Sequence, residues 1–181
     1  MVNRSRMEKQ LILHEGLREK AYLDTEGNWT IGVGYNITGR GWKLIEEILG
    51  RHVRPADGDT SKTVISRDEA IRLLNADLDW FEKLVPIHFP FYLELDEVRQ
   101  RVVLDMAFNM GFKALGFVNT RKMVEARDWS GAARGFYNSK WARQVGDGPD
   151  MSPEAARARG KHFDRCDRLS KMILTGLDWA A

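Results

Sequence analysis

The chain has 181 residues, 43% of them hydrophobic and 30% charged, the balance of one folded domain rather than a disordered or collagen-like chain. No apolar run approaches the ~18–20 residues of a bilayer span, and the polar start MVNRSRMEKQLILHEG is not expected to act as a secretory signal. The single cysteine, Cys166, excludes an internal disulfide framework and a four-cysteine zinc site. The net charge of +2 is unevenly spread. Residues 121–181 hold 12 Lys and Arg against 8 Asp and Glu, which suits an anionic partner but equally suits ordinary solvated helix faces.

In chain order, Ser5 and Glu8 have the spacing of a capping box ahead of Met7, Leu11 and Ile12, and Gly16 is a helix stop that leaves Glu15 in the last turn. Ala21 to Ile37 is the most strand-like stretch, broken by a turn at Thr25–Asn28. Residues 42–51 predict a short helix and 55–63 a loop. A second capping box, Ser66 and Glu69, opens a helix whose inward stripe is Ile71, Leu74, Leu78, Phe81 and Val85, with Pro86 as its stop. Asp96, Asn119 and Ser130 are the expected N-caps of three further helices. Ser152 with Pro153 predicts the start of a last helix that turns Phe163, Cys166, Leu169 and Ile173 inward. The class read from this pattern is α+β, mainly helical.

The chemistry-bearing candidates are Glu15, Asp24 and Thr30. A carboxyl at a helix C-terminus faces the negative end of the helix dipole, a setting that suits a proton donor. In the simplest hairpin register Asp24 and Thr30 lie opposite each other on one face, where an ionised carboxylate beside a hydroxyl can orient a water. If Trp29 to Ile37 runs as one strand, Thr30, Gly32, Gly34 and Asn36 share a bare polar face that a flat ligand can approach closely. Two carboxylates beside such a face fit cleavage of a glycosidic bond. Taken alone, such a pair is far more often a surface charge and a turn former.

The surrounding residues change that weighting. Glu15-x8-Asp24-x5-Thr30, followed by Ile31-Gly32-Val33-Gly34, resembles the catalytic region of the T-even phage-type lysozymes. ISRDEAIRLLNADLDWFEKLV (65–85) is similar to that family's long interlobe helix. LDEVRQRVVLDMAFNMGFKALGFVNTRKMVEARDWSGAARGFYNSKW (95–141) is similar to its C-terminal lobe. The resemblance implies a single two-lobed lysozyme domain over 1–181, with a hairpin lobe at 1–65, the interlobe helix at 66–86 and a helical lobe at 87–181. It implies Glu15 as general acid, Asp24 as the opposing carboxylate that activates water or attacks the sugar, and Thr30 as the residue that positions the water. An Arg of the final helix, Arg157 or Arg159, is the implied partner of the acid. Phe108, Asn109, Thr120 and Asn36 are the implied sugar contacts. Asn36 replaces an apolar residue of the family, Tyr35 a histidine, and Gly135 a substrate-facing asparagine.

The implied activity is hydrolysis of the β-1,4 bond between N-acetylmuramic acid and N-acetylglucosamine in bacterial peptidoglycan. The enzyme is expected to be a monomer with no cofactor, no metal, no nucleic-acid partner and no stable membrane association. The four histidines show no metal-ligand spacing, and Cys166 within an apolar stripe reads as core. The expected location is the host cytoplasm until release to the wall, or the phage particle. The rival readings are a lytic transglycosylase on the same bond and a non-catalytic wall-binding or virion structural module.

Overall fold

The computed structural model describes residues 2–111, 117–146, 152–158 and 162–179. They form a mainly helical fold with one small antiparallel sheet, in two compact units: Asn3–Glu82, and Lys83–Ala181 with Met1–Val2.

The first unit begins with α1 (Arg4–Glu15). Its N-cap is Asn3, whose side chain accepts from the Arg6 N–H, so the expected cap Ser5 lies inside the helix. Gly16 ends it as expected, its N–H on the Ile12 carbonyl. Strands β1 (Arg18–Leu23), β2 (Trp29–Gly32) and β3 (Tyr35–Asn36) form the sheet in that order. The stretch expected to run on from Trp29 to Ile37 therefore folds back on itself. Gly32 (φ +66°) and Gly34 (φ +71°) adopt left-handed backbone angles that bulkier residues rarely take, so they make a tight turn instead of a bare strand face. Thr30 still faces Asn36, now as its cross-strand partner.

Beyond the sheet come α2 (Ile37–Arg40), α3 (Trp42–Leu49) and one 3-10 turn at Thr60–Lys62, and then α4 (Arg67–His88). The second capping box forms as expected: Ser66 Oγ accepts from the Glu69 N–H, and Glu69 Oε2 from the Ser66 N–H. Pro86 lies within the last turn of α4, which ends two residues past the expected stop. The core unites Ile31, Tyr35 and Ile37 with Ile45, Leu49, Ile65, Ala70 and Leu73. This is the apolar alternation that the sheet residues predict.

In the second unit α5 (Glu97–Met110) is capped by Asp96, as expected. The next two caps differ. Phe117 precedes α6 (Val118–Glu125), with Asn119 inside it, and α7 (Trp129–Tyr137) is capped by Asp128, whose carboxylate accepts from the Gly131 N–H. Short helices α8 (Ala142–Val145) and α9 (Pro153–Ala158) follow. The last helix is α10 (Arg165–Thr175), opened by its own capping box of Asp164 and Asp167 rather than by Ser152. α10 packs on α7 and α5, burying Cys166, Leu169, Met172 and Ile173. Burial pushes the Cys166 thiol up to about 12, in keeping with a packing role. The tail is tied back through Asp178, 2.7 Å from the buried guanidinium of Arg101.

Candidate active site

Glu15 closes α1 as its final residue and is half-buried. Three residues on, β1 carries the chain to Asp24, which is held by the main chain of the turn that follows. Its Oδ1 accepts from the N–H of Glu26 (2.9 Å) and of Asn28 (2.8 Å), and its Oδ2 from the Asn28 amide at 3.3 Å. The Asn28 N–H above all, then Glu26, the Asn28 side chain and the Thr30 hydroxyl, hold the carboxyl below its ordinary range against a smaller desolvation effect. Asp24 is therefore ionised near neutral pH. Thr30 is 4% exposed, and its hydroxyl lies between that carboxylate and the Asn28 carbonyl, to which it donates at 3.3 Å.

The register corrects one expectation. Thr30 is opposite Tyr22, not Asp24, while Asp24 meets Asn28 through a backbone hydrogen bond. Because side chains alternate along a strand, Tyr22, Asp24 and Thr30 still share a face. Tyr22 is the site residue the sequence reading missed. It is half-buried, with the Arg18 guanidinium 4.2 Å from its ring centroid. Burial raises its phenol above the ordinary range, Arg18 opposes the rise, and the Glu15 and Asp24 carboxylates both add to it. The fields of the two acids thus meet at one hydroxyl. Asn36 stands beside Thr30 across β2 and β3, but its Oδ1 accepts from the Gly39 N–H at 2.7 Å and so caps α2.

The other sugar-contact candidates belong to the second unit. Phe108 and Asn109 lie in the last turn of α5, and Asn109 Oδ1 accepts from Trp141 Nε1 at 2.9 Å. Thr120 is buried on α6 and borders a groove of about 280 Å³ shared with Gly135, Ser139, Lys140 and Trp141. The absence of a side chain at Gly135 leaves room for Thr120, since a Cβ there would lie 2.3 Å from the threonine hydroxyl.

The helix expected to start at Ser152 and to carry the acid's arginine partner is two helices, α9 and α10. Arg157 is exposed on α9, 3.2 Å from Glu154, and Arg159 lies outside the described residues. The arginines of the final helix are Arg165 and Arg168. Arg165 is 5% exposed, with Nε 2.8 Å from Asp105 Oδ1. Its place at the first position of α10 went unread because Ser152-Pro153 offered an earlier start. Among the described residues no cluster of three or more His, Cys, Asp or Glu could hold a metal ion, and no helix is long and apolar enough to cross a membrane.

The phage lysozyme family model matches residues 13–157, a span that contains Glu15, Asp24 and Thr30. The chain is similar to two probable T4-type lysozymes of Dictyostelium discoideum, at 30% and 26% identity, each over 78% of this chain and 87% of the relative. It is also 32% identical to the pre-baseplate central spike protein Gp5 of Enterobacteria phage T4, over 94% of this chain but only 28% of that longer protein. The chain belongs to the phage lysozyme family, whose general activity is hydrolysis of bacterial peptidoglycan.

Proposed function

We propose that this chain is a muramidase that cleaves the β-1,4 bond between N-acetylmuramic acid and N-acetylglucosamine. Glu15 gives its proton to the glycosidic oxygen, so the leaving sugar departs as an alcohol. Asp24 faces the anomeric carbon and either activates a water held with Thr30 or attacks directly; carboxyl separations of ~6.5–9.5 Å and ~5–5.5 Å distinguish the two routes. The observation that carries this reading is the pinned, ionised Asp24 next to the Thr30 hydroxyl, on a hairpin where its field and that of Glu15 converge. Phe108, Asn109 and Thr120 contact the glycan. Asn36 acts there through the turn that it caps.

The test is loss of turbidity of outer-membrane-permeabilised cells with wild type and Glu15→Gln. The variant is expected to bind wall and to lose lysis, and equal lysis by both proteins would remove Glu15 from the reaction. Reducing-end products support hydrolysis, whereas anhydromuropeptides would assign the chain to the lytic transglycosylases. The spike-protein relative, which aligns with 94% of this chain, favours a virion-borne enzyme over a freely released one. Mass spectrometry of purified particles separates the two.

A further inference from the structure

Within the first unit, two carboxyls and a threonine offer little with which to orient a sugar. β1 supplies another group. Tyr22 is the cross-strand partner of Thr30 and shares its face with Asp24. Its ring is held from one side by the Arg18 guanidinium at 4.2 Å. Among the described residues no protein group hydrogen-bonds the Tyr22 hydroxyl, and the residue is half-buried rather than sealed in the core. A fixed aromatic ring with an uncommitted polar tip is a preorganised ligand contact.

We infer that Tyr22 is a substrate-contacting residue of this site, its hydroxyl donating a hydrogen bond to a hydroxyl or acetamide oxygen of the sugar held between Glu15 and Asp24. Arg18 acts through it as a positioning residue. The inference rests on the muramidase reading above. The raised phenol supports it, because the group remains a neutral donor across the range in which a carboxylate pair works. Arg18 also places a positive charge against the Tyr22 ring, which eases the approach of an anionic wall strand.

The experiment compares wild type, Tyr22→Phe, Arg18→Met and Glu15→Gln on soluble peptidoglycan strands, with kcat and KM measured separately and thermal unfolding followed in parallel. Tyr22→Phe keeps the ring and its stacking. It is expected to lose about tenfold or more in kcat/KM, through KM, kcat or both, as removal of one substrate hydrogen bond requires. Its unfolding temperature should stay within about 2 °C of wild type, as for a surface change away from core contacts. Arg18→Met should lose less, with an intact hydroxyl on a less constrained ring. Wild-type kcat and KM for Tyr22→Phe, or a fall in unfolding temperature with no change in either constant, would overturn the assignment. Glu15→Gln separates the two claims. Wild type that releases no reducing ends removes the muramidase reading itself, full activity of Glu15→Gln removes Glu15 from the reaction, and an inactive Glu15→Gln beside a fully active Tyr22→Phe removes Tyr22 alone.

Discussion

Replacing Asp77 with asparagine probes a buried carboxyl on α4 that faces α2. Asp77 lies on α4 with its side chain 5% exposed, its Oδ1 2.5 Å from the guanidinium of Arg40 on α2. The other group facing it is Tyr35 of β3, whose phenol is pushed up to about 12 and so stays neutral. Burial lifts the Asp77 carboxyl from an ordinary 3.8 to about 6, with Arg40 opposing the rise. The fold therefore retains a proton that the unfolded chain has already released between those two values. The stabilisation linked to that proton is complete below about pH 4 and is lost as pH rises through about 6. Roughly two pH units at about 1.4 kcal/mol each amount to about 3 kcal/mol. Asparagine has no such titration. Urea unfolding of both proteins at pH 4 and pH 7 should show the stability difference moving by about 3 kcal/mol in favour of Asp77→Asn at the higher pH, or roughly 6–12 °C in Tm. All other titrating groups are common to the two proteins and cancel. Parallel pH–stability curves would refute the reasoning.

Two further changes test packing in the second unit. Val103 borders an apolar cavity of about 40 Å³ with Phe89, Phe91 and Met106 among its walls, so Val103→Leu should fill part of it. At about 24 cal/mol per Å³ the gain is up to about 1 kcal/mol, read as a rise of roughly 2–4 °C in thermal unfolding. Gly135→Ala puts a methyl group 2.3 Å from Thr120 Oγ1 and should cost about 1–3 kcal/mol. Thr120→Ala in the same chain should recover most of that loss, as a double-mutant cycle would measure.

The residues that were legible in the sequence are those whose position depends on near neighbours. Glu15 is read from Gly16, the long helix from its stripe and from Ser66 and Glu69, and the sheet core from alternating Ile31, Tyr35 and Ile37. Helix starts were less legible. Asn3 and Asp128 each stand two residues before a serine of equal capping ability, and composition does not say which polar side chain meets the open N–H groups. The capping box at Asp164 and Asp167 was written in the chain but competed with Ser152-Pro153 upstream. The Asp24–Thr30 register escaped because turn length alone does not fix which residues pair. Buried ionic groups such as Asp77, Asp105 and Arg165 were illegible in principle: an apolar stripe says which positions face inward but not that a charge there finds its partner 60 residues away.

Asp24 owes its grip to peptide hydrogens at positions 26 and 28, with one further contact from the Asn28 amide. Peptide hydrogens survive any exchange of side chain except replacement by proline, which carries none. The turn thereby divides labour: its main chain and the Asn28 amide anchor the carboxylate, while the exposed side chain of Glu26 is open to exchange. A library randomised at Glu26, with proline withheld, is expected to leave the Asp24 carboxylate where it stands.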